Sequence, residues 1–299
     1  MVLPVLAALA LGWHSRRKNI LNNQVVDGIK ALVMRYMLPA VLLGAFYKTT
    51  FSAHLLIIAL CMFCCCLVGL GFGALVVRGF KAEGKMLPFF TCGFEAGMMG
   101  YGLYAMLFPS SQMHHFAMVD LGQVLFVFTV YSALLNKRQG VSTKQTLQAM
   151  IFSPVFLAIA TGVILSASGL GALLQQSPGA APIDAILGYI SAPTGMLMIF
   201  VVGYQLEWGK RSLKAAALTV AVRTVIMSGL CVATLLVLGR LLPLETPLFW
   251  AIILMFTLPA PFVLPIFFTE DDQKGYISTA LSLNTLLSVA FFAVISFFR

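Results

Sequence analysis

Long apolar stretches recur along the whole chain, and few charged residues interrupt them. A helix needs about 20 apolar residues to cross the hydrocarbon core of a bilayer. The chain of 299 residues is 60% hydrophobic and only 10% charged, which is more apolar surface than a soluble domain of this length can bury. We therefore predict an all-α polytopic membrane protein. Its apolar segments, numbered one to ten, are 2–13, 27–47, 53–77, 86–108, 114–135, 147–170, 183–206, 214–239, 247–268 and 276–298.

Basic residues are unevenly distributed among the loops between these segments. The loops after odd-numbered segments carry 14 Lys and Arg residues, whereas the opposite side has only Lys48, Arg240 and Arg299. Because cytoplasmic loops are enriched in Lys and Arg, this predicts ten spans in the cytoplasmic membrane with both termini outside. The same topology explains the net charge of +9 without a nucleic-acid partner. Segment one carries its charge after the apolar run, so we interpret it as a retained helix rather than a signal peptide.

The chain divides into two halves of five segments each, 1–140 and 141–299. An odd number of crossings inverts the second half relative to the first. Leu38-Pro39-Ala40 in segment two has a counterpart, Ala192-Pro193-Thr194, in segment seven. We therefore predict two inverted five-helix repeats in one membrane domain, with the scaffold and transport bundles drawn from both repeats.

Segment four carries a carboxylate, Glu95, among several glycines. Counted from Lys85 at about 1.5 Å per residue, Glu95 lies about 15 Å deep, near the midplane of a core about 30 Å thick. A carboxylate at that depth is costly, so it should face a cavity, a partner or an ion. Gly97 and Gly100 favour a break in the helix or close approach of another backbone.

Segment nine contains Pro259, Pro261 and Pro265. These prolines remove backbone hydrogen bonds, and a membrane tolerates such a break only where it is buried in protein or lines a cavity. Pro259 also lies near the midplane, roughly 18 Å before Asp271 along a helix. One break in each half is the pattern of a transporter whose binding site lies between broken, crossing helices.

Polar residues inside segments four, five, nine and ten complete the predicted site. They bind a substrate or hold helices together, and the sequence leaves both roles open; for Glu95 the alternative is a structural carboxylate satisfied by a hydroxyl or by Arg223. Glu95 and Asp120 are the predicted proton or ion sites, and the glycines and prolines named above shape the crossing. The predicted substrate-binding residues are Glu95, Ala96, Gly97, Asp120, Gln123, Thr257, Pro259, Ala260, Pro261, Asn284 and Thr285.

Several function classes lack support in the sequence. No phosphate-binding Walker loop, Gly-x-Ser-x-Gly or His-Glu-x-x-His motif occurs, so we expect no enzyme activity, no cofactor and no metal. The six cysteines all lie in apolar segments and are interpreted as small apolar residues. The expected partners are a small-molecule substrate and the lipid bilayer, and the alternatives of a monomer and a homodimer stay open.

The chain resembles the auxin efflux carrier family of bacterial permeases, which is related to the plant PIN auxin transporters. The resemblance covers nearly the whole chain and rests on the Leu-Pro of segment two and the proline-rich segment nine. It also rests on two motifs, Phe94-Glu95-Ala96-Gly97-Met98-Met99-Gly100 in segment four and Ser282-Leu283-Asn284-Thr285-Leu286-Leu287 in segment ten.

The resemblance implies a fold and a function. The fold is a ten-helix, inverted-repeat arrangement with crossing helices four and nine, similar to that of bile-acid symporters and antiporters of the NhaA type. The implied function is elevator-type transport of a small organic anion such as a carboxylate. The family usually has Asn at the position of Glu95, so a cation-coupled carrier of a neutral or cationic solute is the nearest alternative. A membrane sensor or a channel is a more distant one.

The topology predicts that the loop 137–146 lies in the cytoplasm. On a cysteine-free background, Gly140→Cys should resist an impermeant thiol reagent added outside intact cells and should react after permeabilisation. Labelling of position 140 in intact cells would contradict the predicted orientation.

Overall fold

The structure is a computed structural model that describes residues 2–48, 53–77, 86–139, 145, 148, 151–207, 209, 212–267 and 271–299. These residues form helices, and no strand occurs among them. Six helices are long and apolar enough to cross a membrane, or seven if the bent pair in segment six counts as one span. This agrees with the predicted class, a helical multi-pass membrane protein, while the count of ten spans stays a prediction.

Part of the charge pattern behind the predicted topology falls outside the described residues. Gly140, the proposed labelling position, lies there as well. The basic residues concerned are Arg78, Lys81, Lys85, Lys144, Lys210 and Arg211. The orientation of the chain in the membrane therefore stays a prediction.

Five of the ten segments are helices without a sharp bend or an interruption. Segment two begins with a capped turn, because the side chain of Asn22 accepts a hydrogen bond from the backbone N–H of Val25 at 2.9 Å. The bounds are Val2–Arg17 for segment one, Asn23–Phe46 for two, Ala53–Val76 for three, Leu213–Leu241 for eight and Asp271–Phe298 for ten.

Segments five, six and seven change their helical geometry along their length, as segment two also does at its π-helical stretch Val33–Met37. Segment seven is interrupted at Pro193, which has no N–H to donate. Segment six was expected to run to residue 170, but its helix ends at Ala167 and the chain bends by 82°. Gly169 makes this bend with φ of 74°, a left-handed value that glycine adopts without a steric penalty. The bounds are Met113–Phe126, Val127–Tyr131 (π-helical) and Ser132–Gln139 in five, Pro154–Ala167 and Leu170–Gln176 in six, and Ala180–Ser191 and Thr194–Tyr204 in seven.

Segments four and nine are both interrupted in their middle. In segment four, the five non-helical residues 91–95 separate the two helical parts. In segment nine, the proline-containing stretch 258–263 separates them. The bounds are Leu87–Phe90, Ala96–Gly100 (π-helical) and Tyr101–Leu107 in four, and Thr246–Thr257 and Leu264–Phe267 (a 3₁₀ turn) in nine.

The segments pack as two bundles. In the first, which we call the scaffold bundle, segment one packs on seven and segment two packs on six. In the second, which we call the crossover bundle, segments three, four, five, eight, nine and ten pack together. The two halves make equivalent contacts, with segments one to five corresponding to segments six to ten. The contact of segment one with seven corresponds to that of six with two, and the contact of three with five corresponds to that of eight with ten.

Glycines allow the closest helix contacts. A methyl group at Gly203 would lie 2.2 Å from the carbonyl oxygen of Leu9, and one at Gly12 would lie 2.0 Å from that of Phe200. Segments one and seven therefore touch through their backbones, as small residues permit in membranes. Between the bundles, a methyl group at Gly102 would lie 3.1 Å from the Cα of Gly195.

The backbone contact between segments one and seven predicts a large effect of a small substitution. Gly203→Ala should destabilise the protein by about 1–3 kcal/mol, because the added methyl forces the two backbones apart. Gly229→Ala is the matched control, since nothing lies within 4 Å of a methyl group there. Thermal unfolding in detergent is the measurement, and equal melting temperatures for the two variants would contradict the prediction.

Candidate functional site: the crossover

The two interrupted segments meet. The backbone N–H of Glu95 donates a hydrogen bond of 2.9 Å to the carbonyl oxygen of Pro259. These residues lie in the breaks of segments four and nine, which belong to different halves of the chain. We call this meeting point, residues 91–95 with 258–263, the crossover.

Each break is also capped by an amide side chain from the segment that follows it. In the first half, Oε1 of Gln123 in segment five accepts from the N–H of Phe94 at 3.3 Å. In the second half, Oδ1 of Asn284 in segment ten accepts from the N–H of Ala260 at 3.2 Å. Both amides thereby satisfy backbone donors that the interrupted helices leave without a helical partner.

The carboxylate of Glu95 joins the two breaks. Its Oε1 accepts from the N–H of Met98 at 3.1 Å, at the start of the second helical part of segment four. Its Oε2 accepts from the N–H of Phe262 at 2.6 Å, in the break of segment nine. The side chain is half-buried, and Leu38 of segment two lies beside its neighbour Gly97. Backbone N–H groups therefore bind both oxygens of this carboxyl group.

Arg223 of segment eight contacts the crossover from another direction. Its side chain is buried, with 1% of its surface exposed. It donates hydrogen bonds to the carbonyl oxygens of Phe90, Gly93 and Leu258, the last two at 3.0 Å. Among the described residues it forms no ion pair with a carboxylate. The sequence left open a pair with Glu95, and the structure gives Arg223 carbonyl partners instead.

Asp120 lies beside the crossover in segment five and is 3% exposed. Its Oδ2 accepts from the hydroxyl of Tyr101 at 2.9 Å, and its Oδ1 accepts from Nε2 of Gln123 at 3.0 Å. Since Gln123 also caps Phe94, Asp120 fixes the orientation of the amide that caps the first break. Its contacts are those of a positioning group held within the bundle.

Two cavities lie between the bundles. One, of about 710 Å³, reaches the crossover at Phe262 and is also lined by Thr285 of segment ten. Arg16 and Lys30 line its other part, and these ends of segments one and two are cytoplasmic in the predicted topology. The other cavity, of about 870 Å³, is lined by Lys48, Ser110 and Asp184 near the opposite ends of the segments, and it reaches inward to Tyr101 and Gly195.

The remaining predicted site residues make packing or hydrogen-bond contacts within the protein, and their part in substrate binding stays a prediction. A methyl group at Gly100 would lie 2.5 Å from Cζ of Phe116. Ala96 is buried at the start of the π-helical turn, and Pro261 packs against Gly93. The hydroxyls of Thr257 and Thr285 bond to carbonyls of their own helices at 2.7 and 2.8 Å.

The structure adds groups to the site that the sequence did not indicate. The N–H groups of Met98 and Phe262 have no side-chain signature, and neither do the carbonyls that Arg223 contacts. Tyr101 is one aromatic residue among many, so its bond to Asp120 was not foreseen. Only Arg223 could have been recognised from the sequence as a buried charged residue, because it lies too deep in segment eight to reach the membrane surface easily.

No group of three or more His, Cys, Asp and Glu side chains among the described residues is arranged to hold a metal ion. No protein-family model matches the chain, and no curated protein matches it. Membership of the auxin efflux carrier family therefore stays a prediction.

The cap that Asn284 forms on the second break can be tested by measuring the stability of the protein. Asn284→Leu should lower the free energy of unfolding by about 1–3 kcal/mol, because it leaves the buried N–H of Ala260 without an acceptor. Thr285→Val is the control, since its hydroxyl bonds only within its own helix. Thermal unfolding should separate the two variants, and a loss in Thr285→Val as large as in Asn284→Leu would argue against a special role of the cap.

Proposed function

We propose that the protein is a secondary active transporter that carries a small organic anion, such as a carboxylate, across the cytoplasmic membrane. Transport is of the elevator type and is coupled to protons through Glu95. In this proposal the protein is a member of the auxin efflux carrier family, with Glu95 at the position where the family usually has Asn. The observation that carries this proposal is the carboxylate held at the meeting point of two interrupted helices.

The crossover offers hydrogen-bond donors suited to a carboxylate. The N–H groups of Met98 and Phe262 each bind one oxygen of Glu95, so together they hold both oxygens of a single carboxylate. Charge-assisted bonds of this kind are stronger than bonds between neutral groups. A substrate carboxylate that reaches Phe262 through the 710 Å³ cavity would find the same donors.

Competition for these donors supplies the coupling. While Glu95 is ionised, it occupies the N–H pair and repels a second anion. When it takes up a proton, its bonds to the N–H groups weaken, and a substrate carboxylate replaces it. One proton then travels with each anion. Among the described residues, Glu95 interacts electrostatically with Lys30 of segment two and with Asp120 and Tyr131 of segment five. Arg223 lies on the far side of the break, where it binds the carbonyl oxygen of Gly93.

The packing supports motion of one bundle against the other. Both cavities lie between the scaffold bundle and the crossover bundle, on opposite sides of the crossover. The contact of Gly102 with Gly195 joins the bundles without interlocking side chains. Movement of the crossover bundle would expose the site to each cavity in turn, which is alternating access.

A second candidate is a cation-coupled carrier of a neutral or cationic solute. The same contacts of Glu95 favour it, because two N–H donors stabilise the ionised carboxylate. In that case Glu95 stays charged throughout the cycle and attracts a cation. The two candidates differ in the ligand that they bind and in the effect of pH.

A thermal-shift screen of the purified protein distinguishes these candidates. Small carboxylates and amines should be tested at two pH values, with and without sodium. We expect stabilisation by a carboxylate, greater at the lower pH and independent of sodium. Stabilisation only by amines, or only with sodium, would favour the second candidate.

Glu95→Gln tests the coupling with the carboxylate that the screen identifies. In the parent, affinity should fall roughly tenfold per pH unit above the pH at which Glu95 loses its proton, as one linked proton requires. Glu95→Gln should bind with little pH dependence and lose uphill accumulation in proteoliposomes, whereas Glu95→Asp should weaken coupling less.

Asp27→Asn is the control for this test, because Asp27 is an exposed carboxylate that lines the same cavity. It should keep the parent pH profile. A Glu95→Gln protein with the parent profile and only reduced stability would refute the coupling role and leave Glu95 as a structural anion.

A further inference from the structure

We propose that Arg223 is a positioning residue that fastens the two broken segments to segment eight, so that segments four, eight and nine move as one unit. Its part in transport rests on the proposed function, whereas the fastening itself rests on contacts alone. Neither the prolines nor the carboxylate of the crossover performs this task.

One nitrogen of Arg223 bridges the two breaks. Nη2 donates to the carbonyl oxygen of Gly93 in segment four and to that of Leu258 in segment nine, both at 3.0 Å. Nη1 donates to the carbonyl oxygen of Phe90, also in segment four. The planar guanidinium presents its donors in a fixed fork, so the three bonds fix the relative position of the breaks.

The positive charge is placed where the interrupted helices need it. Phe90 ends the first helical part of segment four, and Leu258 caps the end of the helix Thr246–Thr257. Carbonyl groups at helix ends carry partial negative charge and favour a cation. The guanidinium carbon also lies 5.5 Å from the centre of the Phe94 ring, within the range of a cation–π contact.

This arrangement couples the halves of the chain at a point that Glu95 does not control. The bonds of Glu95 change if it takes up a proton or if an anion replaces it. The bonds of Arg223 go to backbone carbonyls and remain in both states. The crossover thus keeps its shape while its charge changes, which a site that moves through the membrane requires.

Amide hydrogen exchange measures the fastening in the purified protein without a ligand. In Arg223→Met, peptides covering 91–98 and 257–263 should exchange about tenfold faster or more, because hydrogen bonds from a charged group are lost from both breaks. Arg223→Lys keeps the charge but not the fork, so it should show a smaller increase in both peptides. Thr224→Val is the matched control, since the Thr224 hydroxyl bonds only to Val220 of its own helix.

A positioning role requires the two breaks to loosen together while segments one and seven keep the parent exchange. A change in one break alone, or an equal change throughout the protein, would overturn the proposal. If Arg223→Met does not accumulate in cells, the same criterion is applied to Arg223→Lys. Exchange as slow as in the parent at either break of Arg223→Lys would also overturn the proposal.

Transport by Arg223→Lys provides a second readout with the carboxylate identified by the screen. Its maximal rate should fall at least fivefold, while the concentration for half-maximal uptake changes less than twofold. The opposite pattern would assign Arg223 to binding and overturn the positioning role. If both breaks loosen as expected but the parent moves no carboxylate, the fastening stands and the proposed function fails.

Discussion

Two helices that stop inside the bundle leave backbone donors and acceptors without helical partners, and the rest of this structure depends on how those groups are paired. On one side of the crossover, the carboxyl group of Glu95 accepts hydrogen bonds from the N–H of Met98 in segment four and from the N–H of Phe262 in segment nine. At the ends of the interrupted helices, the guanidinium of Arg223 donates to carbonyls of both segments. One carboxyl group and one guanidinium group thus pair backbone groups in the breaks of both halves.

The neighbouring segments extend this compensation outward. Gln123 and Asn284 cap one N–H each, and Asp120 with Tyr101 orients Gln123. The segments that supply these groups form one bundle, whereas the other four segments touch it along a surface that contains both large cavities. The same polar groups therefore pair the backbone of the two breaks and hold the crossover bundle together from within.

The sequence predicted the breaks but not their partners. The depth of Glu95, its glycine neighbours and the prolines of segment nine follow from helix geometry and the cost of unpaired backbone groups, so they can be derived without coordinates. The partners of Glu95 and Arg223 are backbone atoms, which every residue carries, so no pattern of side chains marks them. The bend at Gly169 was missed for a related reason: one glycine in an apolar segment does not reveal whether its φ is positive.

The contact between Gly102 and Gly195 has a mechanical consequence. Helices usually interlock by side-chain ridges that sit in grooves, and sliding one helix along another means lifting each ridge over the next. At this contact backbone faces backbone, and the nearest side chain is that of Ile199, one helical turn after Gly195. The two glycines themselves should therefore offer little resistance to translation of one helix along the other. A larger residue at either glycine would add a ridge there and raise the resistance to sliding at this contact.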